Sequence, residues 1–455
     1  MKKIMIYTVS FWILLLATGC NDFLEVEVPK DMVDQTKTFN DDRTAEAALH
    51  HAYVLLTENG FLSGNAGAAP VLLGCYTDEL EVTSPAFPDY MNFYNGAVLA
   101  NNSSVSALWN QTYAQIYTVN NILEGLKNST GITEAVQIQL QGEALAIRGI
   151  LHFYLAQTFG EVPYVTSVDY KVNQKIGKLS VNAVMERALA DLKDAEEILL
   201  SSYPTAERIR ISKSVVHGFM ARMYLYMENW PMARQYAEVL INNTEYTLSP
   251  VNGLFLKESK SAIWQLKPTI NGMNTYEALT YTFFAVPAPN IKLSTSLLGI
   301  FETGDLRKTN WIKFIGLEGQ NAHNFKYTKM GFSTPVAEYS VVLRIEEMYL
   351  IAAEAAARLQ DWDACNGYLN QIRSRAGLDD VDVQSVDQAV NTILQERRVE
   401  LFCEFGHRFY DLKRTDRLMD LQAVKPNWKP HLSVLPLPEN ELLLNPNLLP
   451  QNTGY

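Results

Sequence analysis

"MENWPMARQYAEVLIN", Met227 to Asn242, and "LQDWDACNGYLNQIR", Leu359 to Arg373, superpose by their tryptophans. Trp230 and Trp362 are each followed three places on by a small residue (Ala233, Cys365), six on by tyrosine (Tyr236, Tyr368) and ten on by an aliphatic residue (Leu240, Ile372). Each tryptophan is preceded by a run rich in alanine and tyrosine, "HGFMARMYLYM" from His217 and "MYLIAAEAAARL" from Met348. The unit is helix, short turn, helix. Small residues let one helix nest on the next while an aromatic fills the gap between them, which is the tetratricopeptide pattern.

Working outward, apolar residues recur at helical spacing over about 43–58, 103–127, 134–159, 181–200, 213–242, 345–375 and 387–414. "SALWNQTYAQIYTVNNILEGL" from Ser106 and "GEALAIRGILHFYLAQTFG" from Gly142 have the same small and aromatic mixture and predict another antiparallel pair. Between these helices the chain changes character. Residues 59–99 and 246–340 are rich in Gly, Pro, Asn, Thr and aromatics, with short β-like runs such as "SAIWQL", and the last thirty or so residues are rich in Pro, Leu and Asn. The expected fold is mainly α: a tetratricopeptide-like superhelix (about 43–58, 103–245 and 341–420) packed against an irregular, loop-rich part with short β elements (about 59–99, 246–340 and 421–455). Long insertions on one side of a rigid scaffold are where binding residues concentrate.

The N-terminus reads as a leader. Lys2 and Lys3 precede an apolar segment, Met5 to Ala17, that is too short for the roughly 20 residues of a bilayer span. Thr18 and Gly19 are the small residues that a lipoprotein signal requires before its cysteine. Residues 1–19 are therefore expected to be removed and Cys20 to be lipidated. Leu16 sits one place earlier than that motif usually has it. Several acyl chains on one cysteine meet the two-signal requirement for stable anchoring. The formal net charge is −12, and losing Lys2 and Lys3 makes it more negative, which disfavours nucleic acid and anionic lipid surfaces as partners. Cys75, Cys365 and Cys403 have no CxxC spacing and read as small buried hydrophobes, with Cys365 and Cys403 inside helical patterns.

Signatures of catalysis are missing from the chain: it has no HExxH, GxSxG, GxxxxGK[ST] or GxGxxG. His50 and His51 are neighbours on a helix and point about 100° apart, a poor arrangement for one metal. "DDVDVQSVDQAV" from Asp379 lacks the Gly and Glu of a calcium loop. No catalytic residue, metal or cofactor is assigned. Glu396, Arg397, Glu400, Arg408, Asp411 and Arg414 alternate in sign around apolar residues, with Glu396, Glu400 and Glu404 expected on one helical face. Buried charges persist by pairing, so this set, with Arg148, Arg344 and Glu347, predicts an ion-pair network stapling the last helices.

Several motifs, in order, resemble the SusD/RagB family of outer-membrane nutrient-binding lipoproteins of Bacteroidetes. They are "GCNDFLEVEVP", "EALAIRGILHFYLAQTFGEVPYV", "LRIEEMYLIAAEAAARL", "ERRVELFCEFGHRFYDLKR" and the closing "LPLPENELLLNPNLLPQNTGY". The resemblance implies a four-repeat superhelix on an irregular domain, tethered at the cell surface by its lipid. It also implies a non-catalytic receptor that hands an oligosaccharide to a SusC-like TonB-dependent transporter. Two alternatives stay open: a peptide-binding RagB-like receptor, and a protein-only lid for the transporter.

A sugar ring offers an apolar C–H face and a fringe of hydroxyls, so its receptor needs flat aromatics beside short amides or carboxylates. "SPAFPDYMNFYNGAV" from Ser84 supplies Phe87, Asp89, Tyr90, Asn92, Phe93, Tyr94 and Asn95, and "NGMNTYEALTYTFFAVP" from Asn271 supplies Asn274, Tyr276, Tyr281 and Phe283. Tyrosines outrank phenylalanines because a hydroxyl tip tolerates a wet rim. The candidates are Asp89, Tyr90, Asn92, Tyr94, Asn274, Tyr276 and Tyr281. In an extended segment Tyr90 and Asn92 share a face and Phe93 points away.

Overall fold

The turns before the two tryptophans are built alike. In the computed structural model, which describes residues 39–316 and 321–455, Glu228 and Gln360 adopt left-handed backbone at φ 55° and 62°. The amides of Asn229 and Asp361 then close on the carbonyls of Tyr224 and Ala356, both at 2.9 Å. The same two side chains cap the next helix, accepting from the amides of Met232 and Ala364. A left-handed residue followed by an Asn or Asp cap reverses the chain in the fewest residues. The leader, Cys20 and the acidic stretch after it lie outside the described residues.

The principal helices are α1 (Asp42–Glu58), α2 (Ser103–Asn128), α3 (Glu134–Phe159), α4 (Val181–Ile198), α5 (Lys213–Tyr226), α6 (Trp230–Ile241), α7 (Ile345–Arg358), α8 (Trp362–Arg375), α9 (Val386–Glu400) and α10 (His407–Arg414). Helices α2 to α8 stack each on the one before it, including the predicted pair α2 and α3. Although more than a hundred positions separate α6 from α7, these two pack together, and the Arg358 guanidinium lies 5.0 Å over the Trp230 ring. The irregular part between them is therefore an insertion into an unbroken stack.

Among the described residues three two-stranded antiparallel ribbons brace the insertion: β1 (Leu80–Val82) with β3 (Ile291–Leu293), β2 (Ala262–Leu266) with β6 (Ser340–Arg344), and β4 (Ile312–Phe314) with β5 (Ala322–Asn324). Strand β2 is buried along its whole length. From it Trp264 meets Tyr53 of α1 and Phe219 of α5 edge-on, at 6.4 and 6.0 Å between ring centres. One hydrophobic core thus runs from the helices into the insertion.

The expected ion-pair network exists and reaches further than the last helices. Arg307, fully buried, bridges Asp305, Glu396 and Glu400. Arg344, on β6, binds Glu400 and Glu404, and Lys326 also binds Glu404. Arg397 and Arg414 share Asp411, Arg414 also holds Glu354, and Arg222 holds Glu347. Arg148 holds Asp191 and Arg408 holds Asp78. Arginines of the insertion are thereby tied to carboxylates of the repeats. Arg307 and Arg344 each meet more than one carboxylate, the condition under which desolvation of a buried charge is tolerated, whereas Arg397 is held through Nε alone and its two terminal nitrogens have no hydrogen-bond partner among the described residues. One detail differs from expectation. Helix α9 ends at Glu400 and the chain turns through Cys403 and Phe405, both at positive φ, so neither Glu404 nor Cys403 is helical. Cys75, Cys365 and Cys403 are free and buried.

Candidate functional site

The first predicted stretch is a short helix, Pro88–Tyr94, and not an extended run. Proline at its first position and an acid in its first turn are helix-start signals, and they were legible in the sequence. Helical spacing puts Tyr90 and Phe93 on the same, buried face, which corrects the alternation expected of a strand. The Tyr90 hydroxyl donates to the Ala66 carbonyl at 2.6 Å, and burial raises its pKa. Its ring stacks under Phe87 at 5.6 Å and 21°. Phe87 is 41% exposed and forms the outer leaf of the pair, so the solvent-facing aromatic is the phenylalanine and the tyrosine backs it.

Asp89 is half-buried and engaged within the protein. Its carboxylate accepts from the hydroxyls of Ser103 and Ser104 at 2.5 and 2.7 Å and from the Asn102 amide at 3.1 Å, tying the short helix to the start of α2. Asn92 and Asn95, three apart, lie on the more open side, half-buried and exposed respectively. Tyr94 is half-buried, and the Lys425 ammonium sits 3.9 Å over its ring. That ammonium is held by the Cys75 and Tyr94 carbonyls, a cation–π arrangement that occupies one face of the ring.

The second stretch contributes structure more than surface. Asn274 is buried and clamps a neighbouring loop: its amide donates to the Gly331 carbonyl and the Ser333 hydroxyl, and its oxygen accepts from the amides of Ala337 and Glu338. Tyr281 is 3% exposed. Its hydroxyl has no hydrogen-bond partner among the described residues, and burial, with Cys403, Glu79 and Glu277 nearby, raises its pKa. Tyr276 is half-buried against a water-sized cavity beside Thr57, Gly64, Glu277 and Ser340.

The two stretches nonetheless meet at one turn. Tyr90 donates to Ala66, and Thr280 donates to the Gly64 carbonyl at 2.8 Å. The turn sits on Glu277, and a Cβ added at Gly64 would lie 2.1 Å from the Glu277 carboxyl carbon. Glu277 accepts from the Ser340 hydroxyl, and burial pushes its pKa up to about 7. Further out, Phe284 and Phe332 are exposed at 72% and 69%; neither was selected from sequence, where nothing separated them from core phenylalanines. Among the described residues no group of three His, Cys, Asp or Glu is arranged to hold a metal ion, and no helix is long and apolar enough to cross a membrane.

What the arrangement offers is an aromatic leaf, two amides and an indented turn on the insertion side of a helical stack. A family profile described as "Starch-binding associating with outer membrane" matches residues 22–225, and that of the SusD family matches residues 320–455. SusD-like proteins P2 and P25 of Formosa agariphila are 26% and 24% identical, each alignment covering all of both chains. The fold is shared with a SusD superfamily protein of Bacteroides vulgatus (TM-score 0.80, 20% identity, 92% of this chain and 100% of that one). It is also shared with surface glycan-binding protein A of Bacteroides uniformis (0.76, 20%, 90% and 99%) and with a laminarin-binding SusD-like protein (0.75, 20%, 92% and 100%). Profiles at both ends of the chain, relatives aligned along its whole length and the stacked-helix fold with its insertion agree: this chain belongs to the SusD family.

Proposed function

We propose that the protein is a lipid-anchored receptor of the cell surface that binds an oligosaccharide without cleaving it and delivers it to a SusC-like TonB-dependent transporter. The observation that carries the ligand class is the exposed Phe87 ring, stacked on a hydrogen-bonded Tyr90. A ring held flat from behind presents its outer face to the C–H face of a sugar at little entropic cost. Asn92 and Asn95 beside it supply amides for hydroxyls. Relatives whose names state glycan or laminarin binding support the same class.

Binding without turnover is supported by the one acid of the helix. Asp89 already accepts three hydrogen bonds that tie down its neighbour, whereas glycoside hydrolysis needs two carboxylates facing the scissile bond. Affinity should be modest, since a shallow wet platform contributes little per contact.

The test is calorimetry of the mature chain against laminarin, starch and a mixed peptide panel, with Phe87→Ala as control. Glycan binding that Phe87→Ala weakens at least tenfold, with no new reducing ends, is the expected result. Binding of peptides alone would transfer the role to peptide uptake. Binding of neither, with an intact transporter complex, would leave a lid.

A further inference from the structure

A cleft of about 470 Å³ opens between α1, the Thr205–Arg210 segment and the chain that leaves β2. It shares Thr57, Leu266 and Pro268 with the water-sized cavity beneath Tyr276, so the two adjoin. Its volume is that of a small-molecule site.

Two cations face it from different walls of a chain whose net charge is −12. Arg210 is aimed by a buried anchor: Glu143, 0% exposed, accepts from its Nε and Nη2 at 3.1 and 2.5 Å and also from Tyr53 and Gln139. That grip leaves Nη1, whose nearest acid is the half-exposed Glu46 at 3.7 Å, too far for a hydrogen bond. Lys267 stands on the second wall, half exposed and paired with the partly exposed Glu207 at 3.0 Å. Glu46 is solvated and can swing away, whereas Glu207 is also held by the Tyr339 hydroxyl at 2.7 Å and stays beside Lys267, whose ammonium has further N–H donors to offer. The Thr205 hydroxyl, buried in the same lining, has no hydrogen-bond partner among the described residues. Val54 and Ile209, both half-buried, add apolar faces between these groups.

We infer that this cleft is a second saccharide subsite, selective for a sugar bearing an anionic group, either the carboxylate of a uronic acid or a sulfate ester. Arg210 Nη1 and Lys267 Nζ meet the charge, Thr205 Oγ1 meets a hydroxyl, and Val54 and Ile209 take the C–H face. A charge-assisted contact to a guanidinium already fixed in direction costs little ordering. The inference rests on the glycan-receptor reading and narrows it.

The experiment is calorimetry of the mature chain with three probes: oligogalacturonate, sulfated carrageenan oligosaccharide and neutral laminarin oligosaccharide. The chain is used as wild type and as Lys267→Gln, Arg210→Gln and Phe87→Ala. At least one anionic probe is expected to bind, more weakly at higher salt. Lys267→Gln should lower that affinity about five- to tenfold without changing laminarin binding, and the probe that binds identifies carboxylate or sulfate. Arg210→Gln also strips the buried Glu143 of its partner, so Lys267→Gln, at an exposed position, decides the matter. Laminarin binding sensitive to Phe87→Ala, with neither anionic probe bound, overturns the cleft assignment and leaves the receptor reading standing. Anionic binding indifferent to Lys267→Gln also overturns it. No binding by any probe removes both.

Discussion

The Tyr368 hydroxyl donates to Glu238 at 2.7 Å, joining the second helix of one repeat to the second helix of the repeat before it. Tyr236, its counterpart by the tryptophan alignment, donates to Glu196 of α4 at 3.1 Å. The repeated tyrosine is therefore a repeat-to-repeat clip, and the insertion between α6 and α7 does not interrupt it. Removing the hydroxyl with Tyr368→Phe keeps the ring's packing and should lower the unfolding free energy by about 1 kcal/mol, the usual net worth of such a bond. Tyr236→Phe should cost the same or slightly less. Urea unfolding measures both; no change in either would mean that the hydroxyls merely exchange these partners for water.

Acid–base linkage isolates Glu277. Its folded pKa, about 7, is raised by burial from an ordinary value of 4.5. The unfolded chain therefore ionises first, and the contribution of this group falls as pH climbs from about 4.5 to 7, then levels. The fall is at most about 3 kcal/mol at 1.36 kcal/mol per unit. His152 and His407 are pushed down by burial and act oppositely below pH 6.5, so the wild-type profile alone is ambiguous. The difference between wild type and Glu277→Gln is not: the variant should gain relative stability steadily between pH 4.5 and 7. Parallel profiles would show that Glu277 is ionised in the folded protein.

Gly64 is required by contact and not by φ. Gly64→Ala brings a methyl into the Glu277 carboxyl, and overpacking of this kind costs about 1–3 kcal/mol. Because the same turn accepts from Tyr90 and Thr280, the variant should also weaken glycan binding. Pairing it with Glu277→Ala, which vacates the space, should restore much of the lost stability. A double variant no better than Gly64→Ala would place the cost elsewhere.

Cys20 is the proposed tether. Cys20→Ser should abolish acyl labelling and shift the protein from the membrane fraction to the soluble one, without altering the unfolding midpoint of the released body. Retention of label, or unchanged fractionation, would discard the anchor.

The sequence by itself determined the helices and their repetition. Periodicity, caps and the spacing from Trp230 and Trp362 are local properties, so helices such as α3 (Glu134–Phe159) begin and end where the pattern does. It also determined that the charges of the last helices would pair. What only the tertiary structure decided was exposure within the irregular segments. Tyr90 is covered because Ala66 lies against its hydroxyl, Asn274 is consumed by residues 331–338, and Asp89 by Ser103 and Ser104. These partners are 14 to 64 positions away in sequence. An aromatic in a loop faces sugar or core according to which distant segment folds over it, and no periodicity within the loop records that choice.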